Sequence, residues 1–172
     1  WHNKVGRGGF LGGVHWGMSA NGDSLFVPIA DTTITGRFTG PVSPGIHALD
    51  PTSGEVRWYT PSVADCDGKS PIPVCDQGMS AAITSTDQLV FAGSLDGNLN
   101  VYDSLSGEIL WSFDTFGDFE SVSGDTALGG SIESDGPVLY KGNVLINSGY
   151  QFGARMPGNA LMVFSLPPEA EL

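Results

Sequence analysis

One eleven-residue segment occurs twice in this chain and restricts its fold more than any other feature. Ala48-Leu49-Asp50-Pro51-Thr52-Ser53-Gly54-Glu55-Val56-Arg57-Trp58 returns 53 residues later as Val101-Tyr102-Asp103-Ser104-Leu105-Ser106-Gly107-Glu108-Ile109-Leu110-Trp111. Each copy reads as a strand, an aspartate, a short turn, Gly-Glu, and a second strand carrying a tryptophan. The aspartate side chain can bond the backbone of its own turn. The glycine can take the positive φ that a longer hairpin loop with a bulge requires. Each copy is therefore one antiparallel hairpin.

A second pair of strands precedes each hairpin. Ser24-Leu25-Phe26-Val27-Pro28-Ile29-Ala30-Asp31 corresponds to Gln88-Leu89-Val90-Phe91-Ala92-Gly93-Ser94-Leu95-Asp96, with small-residue segments Trp16–Ala20 and Met79–Ile83 ahead of them. Asn21-Gly22-Asp23 and Ser85-Thr86-Asp87 supply the intervening turns. A third unit opens at Gly129-Gly130-Ser131-Ile132 and runs to Ala160–Phe164, without the Asp-Gly-Trp hairpin. Repeated four-stranded units of this length, each with a tryptophan to set between neighbours, are the pattern of propeller blades. A β-sandwich would carry no such repeat. The expected fold is an all-β partial propeller of about three blades over 10–61, 78–115 and 129–166, the last incomplete. Residues 1–172 form one segment, with an acidic, Pro-broken tail at 167–172. Trp1, with Val5 and Phe10 among glycines, reads as the middle of a longer segment exposed by cleavage, and no basic-then-apolar leader precedes it.

Composition agrees and excludes several classes. Of 172 residues 25 are Gly and 11 Pro, and the formal net charge is −12. Seven cations scattered along the chain make no basic patch, so nucleic acid is not an expected partner. No apolar run reaches the roughly 18 residues of a membrane helix. Cys66 and Cys75 lie in one loop with Pro71 and Pro73, which reads either as a small disulfide ring in an oxidising compartment or as two free thiols.

The Asp-x-x-x-Gly-Glu-x-x-Trp pattern resembles the tryptophan-docking motif of quinoprotein propellers, the pyrroloquinoline quinone (PQQ) dehydrogenases. Gly12-Gly13-Val14-His15-Trp16-Gly17-Met18, Gly93-Ser94-Leu95-Asp96-Gly97, Gly129-Gly130-Ser131-Ile132, Asn147-Ser148-Gly149-Tyr150 and Met156-Pro157-Gly158-Asn159 are similar to the C-terminal part of polyvinyl-alcohol-dehydrogenase-like proteins. The resemblance implies an eight-bladed, secreted or periplasmic propeller. Its enzymes oxidise secondary alcohols with PQQ and calcium held near the axis and pass electrons to a cytochrome c. The chain departs from this in having about three blades and no Cys-x-x-Cys-His haem attachment.

Against that background, Trp16 is a candidate for stacking on a flat quinone, or a core tryptophan. His15 beside it is a candidate proton acceptor, or a surface or core histidine. In some relatives that position looks acidic. Arg155 is a candidate for an anionic group. Asp31 and Asp96 are weak metal candidates, whereas Asp103 reads as a turn former. Gly54, Trp58, Gly107 and Trp111 are the expected blade-docking residues. Lys4, Arg7, Arg37, Lys69 and Arg155 read as isolated cations. The acidic stretch Asp114, Asp118, Glu120, Asp125, Glu133 and Asp135 reads as a solvated rim, or as a docking surface for a basic partner such as a cytochrome. Two functions stand open: part of a PQQ-dependent alcohol dehydrogenase, with no activity expected of this chain alone, or a non-catalytic propeller module serving structure or interaction. The other partners expected are the remaining blades, or another chain, covering the exposed blade faces.

Overall fold

The computed structural model describes residues 1–9, 12–32, 38–69, 74–150, 153 and 155–166. Phe10, Arg37, Pro71, Pro73 and the tail at 167–172, all singled out above, lie outside the described residues. No helix occurs among the described residues. Two sheets have four antiparallel strands in sequence order: β1 (Ser19–Ala20), β2 (Leu25–Ile29), β3 (Gly45–Leu49), β4 (Val56–Pro61), then β5 (Thr84–Ser85), β6 (Leu89–Gly93), β7 (Asn98–Asp103), β8 (Ile109–Asp114). A two-stranded ladder follows, β9 (Gly117–Glu120) with β10 (Thr126–Gly129). The last sheet has three strands, β11 (Val138–Tyr140), β12 (Asn143–Ser148) and β13 (Ala160–Ser165). This is a partial β-propeller, as the repeat predicted.

The two copies of the repeat share their backbone turn and the amide bonds to its aspartate. One carboxylate oxygen of Asp50 accepts from the Thr52 and Ser53 amides at 2.8 and 3.0 Å. The same oxygen of Asp103 accepts from the Leu105 and Ser106 amides at 3.0 and 2.7 Å. Both carboxyls titrate below the usual aspartate range, Asp50 mainly through the Thr52 hydroxyl and the Arg57 guanidinium with the amides adding, and Asp103 mainly through the Ser106 amide and hydroxyl. Gly54 and Gly107 follow at φ 77° and 75°, where a side chain would be strained. The register slips between Ala48 and Leu49 in one sheet and between Val101 and Tyr102 in the other.

Tryptophans fasten each unit to the next. The Trp58 indole nitrogen donates to the Ser104 carbonyl at 3.1 Å, and the Thr60 hydroxyl to the Gly107 carbonyl at 2.7 Å. A Cβ on Gly107 would lie 2.5 Å from the Trp58 ring, so only glycine admits the indole. Trp1 and Asn3 repeat this geometry one unit earlier, donating to Pro51 at 3.1 Å and to Gly54 at 2.7 Å. Behind Trp58 one buried cluster crosses the two sheets, with Phe26, Ile46 and Ala48 from the first, Val90 and Tyr102 from the second, and Met79 from the segment ahead of β5. A second cluster joins Leu99 of β7 to Ile132 and to Ile146 of β12.

Three expectations need correction. The first strands of the two four-stranded sheets are two residues long, and β5 lies just beyond the small-residue segment Met79–Ile83, taking Ser85 from the expected turn. The rest of each small-residue segment bonds across to a neighbouring unit instead, as Met79 does to the Ile29 carbonyl at 3.2 Å. The acidic connection is not a plain loop, since the β9–β10 ladder folds from it. Lys69 is not isolated: its ammonium reaches Asp114 at 3.0 Å. Cys66 and Cys75 form a disulfide, and no free cysteine is present among the described residues.

Trp58→Ala should lower unfolding free energy by about 3 kcal/mol, because it deletes a large ring at a packed interface. Gly107→Val should be at least as damaging, combining φ strain with ring displacement, and urea midpoints measure both. A pH effect follows from His47, which is 8% exposed and stacks on Tyr59 at 4.3 Å. Burial lowers its pKa below 6.5, with the Asp31 charge opposing. The unfolded chain then takes the proton first, so stability falls as pH drops below about 6.5. His47→Phe should flatten that part of the stability–pH curve.

Candidate functional site

The inner segments ahead of β2 and β5 and behind β10 are poor in large side chains because their backbones run close together. A Cβ on Gly17 would lie 3.2 Å from that of Ala82. Backbone bonds tie these segments in sequence. The Trp16 amide donates to Ser80 at 3.4 Å, and the Ala82 amide to Ser134 at 2.9 Å. Ser131 and Met156 are tied twice, the Ser131 amide to the Met156 carbonyl at 3.0 Å and the Met156 amide to the Ser131 hydroxyl at 3.1 Å. This ladder brings four polar side chains from four segments to one place.

His15 Nδ1 lies 2.7 Å from the Ser80 hydroxyl, which donates to Glu133 Oε1 at 2.9 Å. Arg155 Nε stands 3.9 Å from the other oxygen, Glu133 Oε2. Ser80, Glu133 and Arg155 are buried at 0, 0 and 1% exposure, whereas the His15 side chain keeps 28%. A carboxyl group so enclosed needs a donor and a counter-charge, and Ser80 and Arg155 stand beside it.

The proton count then sets the histidine tautomer. The single Ser80 proton goes to the carboxylate, so the hydroxyl oxygen must accept from His15 Nδ1–H. Neutral His15 is left with its lone pair on Nε2, and no hydrogen bond reaches that nitrogen among the described residues. Trp16 flanks the histidine with ring centroids 4.9 Å apart and is 45% exposed, so an indole surface and a basic nitrogen lie side by side.

Of the candidates His15, Trp16 and Arg155, His15 and Arg155 approach Glu133 at 3.8 and 3.9 Å, and Trp16 stands beside His15. Asp31 and Asp96 lie elsewhere in loops. Asp31 accepts from the Gly8 and Ser43 amides at 2.9 and 3.2 Å, and Asp96 from the Asp65 amide and the Asn98 side chain at 3.0 and 2.8 Å. Among the described residues no group of three or more His, Cys, Asp or Glu side chains could hold a metal ion. Glu133 departs from the acidic-rim reading because it is fully buried, while Asp118, Glu120 and Asp125 are exposed. Ser80 was missed as a polar partner. A signal was present: Ser80 lies 65 residues after His15, the spacing of Asp31 to Asp96, and Glu133 lies 53 after Ser80, the spacing of Trp58 to Trp111. The three occupy one position in successive units.

Comparisons with known proteins follow this architecture. No protein-family model matches the chain. It is 31% identical over 176 aligned residues to polyvinylalcohol dehydrogenase of Sphingopyxis sp. (strain 113P3), covering 96% of this chain and 27% of that protein. It is 33% identical over 112 residues to 1-butanol dehydrogenase (cytochrome c) of Thauera butanivorans, covering 64% of this chain and 15% of that protein. The crystal structure of quinohemoprotein alcohol dehydrogenase from Comamonas testosteroni superposes with a TM-score of 0.53 at 18% identity, over 88% of this chain and 21% of that one. The chain thus spans about a quarter of the length of the first of these relatives.

Glu133→Gln should cost about 3 kcal/mol in urea unfolding, since it leaves the Arg155 charge buried without its carboxylate. Glu120→Gln, on the exposed hairpin, should stay within about 0.5 kcal/mol.

Proposed function

We propose, for a chain whose homologues are polyvinyl alcohol dehydrogenases and quinohaemoprotein alcohol dehydrogenases, that it forms one sector of a propeller that oxidises alcohols with a bound quinone. The observation that carries this reading is the pairing of the half-exposed Trp16 ring with His15, whose Nε2 is left basic by the Ser80–Glu133 chain. A flat quinone of the PQQ type fits the indole face. Calcium does not fit the donors described, because one buried carboxylate falls far short of the roughly six to eight oxygens it takes. Arg155 is buried against Glu133, so its role toward an anionic group runs through holding that carboxylate.

The quinone, when bound, supplies the acceptor for hydride from the alcohol carbon. The chain's own residues handle the proton. His15 Nε2 takes it from the alcohol hydroxyl as the carbonyl forms. The imidazolium produced remains bonded through Nδ1–H to Ser80, within 3.8 Å of the Glu133 carboxylate, which stabilises the new charge. Trp16 orients the flat ring and keeps water from one face. The activity belongs to the assembled propeller rather than to this chain by itself.

Two further elements of the reading concern surroundings. The exposed acids of the β9–β10 hairpin present negative charge suited to a basic electron acceptor such as a cytochrome. The disulfide favours a periplasmic or secreted setting. Among the described residues no helix is long and apolar enough to cross a membrane.

Titration with PQQ tests the site. It should quench part of the tryptophan emission, and Trp16→Leu should abolish that quenching. In the assembled propeller, His15→Asn should lower dye-linked alcohol oxidation by about 10²- to 10⁴-fold with little change in KM. Absence of quenching in the unmutated protein would leave the non-catalytic module as the better reading.

A further inference from the structure

One position of the repeat changes character between the two four-stranded sheets. In the first sheet His47 of β3 pairs across the strands with Tyr59 of β4, and their rings stack with centroids 4.3 Å apart. The 53-residue offset puts Asn100 and Ser112 at these positions in the second sheet, again paired, across β7 and β8. Two rings are replaced by a carboxamide and a hydroxyl. A cavity of about 310 Å³ opens there, lined by both residues and by the segment that follows β4. That volume is at the low end of small-molecule sites, roughly 300–1,000 Å³.

The walls are polar and held in place. Asn98, Asn100 and Tyr102 alternate along β7 and so share one face, the one that packs toward the first sheet through Tyr102. Asp96 is 1% exposed and its carboxylate is fully used. One oxygen accepts from the Ser94 hydroxyl and the Asn98 backbone amide, the other from the Asp65 backbone amide and the Asn98 side chain. The Ser112 hydroxyl donates to Asn100 Oδ1 at 2.6 Å, and the Asn100 side-chain nitrogen donates to the Tyr102 hydroxyl. A carboxamide nitrogen carries two protons, so Asn98 and Asn100 each keep one N–H for an occupant. Asn98 Oδ1 and the exposed Asp65 carboxylate accept no hydrogen bond among the described residues. Val63 and Ile109 add apolar surface to the same cavity. The wall carrying Asp65 is pinned again by Lys69, whose ammonium donates to the Asp96 carbonyl at 2.8 Å.

We propose that this cavity binds a neutral, polyhydroxylated ring of monosaccharide size. Hydroxyl groups both donate and accept, so they match the spare N–H groups of Asn98 and Asn100 together with the free oxygens of Asn98 and Asp65. The C–H face of such a ring meets Val63 and Ile109. Other classes fit less well. A metal ion would find Asp65 as the one carboxylate with free lone pairs. An organic cation offers nothing for the two N–H groups to donate to, and Asp65 and Asp96 oppose an anion. The cavity shares no residue with the His15–Glu133 centre, so the proposal stands independently of the quinone reading.

The test follows the side-chain amide resonances of Asn98 and Asn100 in the ¹⁵N-labelled, unmutated protein. The probes are methyl α-D-glucopyranoside and myo-inositol, with methylammonium as the cationic comparison. At least one polyol should shift both amide pairs saturably, and methylammonium should not. Asp65→Ala, which removes an exposed side chain, should weaken that binding by about tenfold. Asn100→His combined with Ser112→Tyr restores the ring pair of the first sheet and should abolish it. No saturable shift with either polyol, a response to methylammonium instead, shifts confined to other residues, or unchanged affinity in Asp65→Ala would overturn the proposal.

Discussion

An indole laid on the bare Cα of a glycine is the contact on which the rest of this structure depends. A four-stranded sheet has two faces and buries neither alone. Stacking buries them, and the tryptophan sets the distance at which stacking occurs. The glycine at positive φ lets the turn pass beneath the ring, and the aspartate before it holds the turn ready by bonding two amides. Each partner is therefore shaped before the units meet, which lowers the entropy lost on docking. Trp58 on Gly107 and Trp1 on Gly54 share one geometry, down to the second donor two residues later.

The polar centre is a consequence of that stacking. His15, Ser80, Glu133 and Arg155 come from separate inner segments, and none of the four is near another in sequence. Small residues let those segments approach, backbone bonds fix their register, and the side chains then meet. Glu133 is tolerable at zero exposure only once Ser80 and Arg155 are in place. The same chain of contacts fixes His15 through its Nδ1. Electrostatics at the centre and packing at the rim are two results of one arrangement.

Much of this was legible in the chain itself. The offset between Trp58 and Trp111 announced the blades, and the Asp and Gly of each turn behaved as their chemistry requires. The shortness of the first strands was hidden, because small residues read as strand when the partner backbone is out of view. Glu133 was hidden for a related reason. In sequence it stands among exposed acids, and only the fold turns it inward. Extending the two repeat spacings from the tryptophans and aspartates to the inner segments would have aligned His15, Ser80 and Glu133. Arg155 lies outside that alignment, and its pairing with Glu133 depends on the Ser131–Met156 bonds, which no pattern in the chain reveals.

Native-state hydrogen exchange addresses the central claim, that docked units form one cooperative body whose assembly creates the polar centre. Amides of β3 and β7, on either side of the Trp58 contact, should open with one common free energy in mild denaturant. Replacement of Trp58 should lower both together. Separate opening free energies for the two strands in the unmutated protein, with Trp58 affecting only one, would contradict the account.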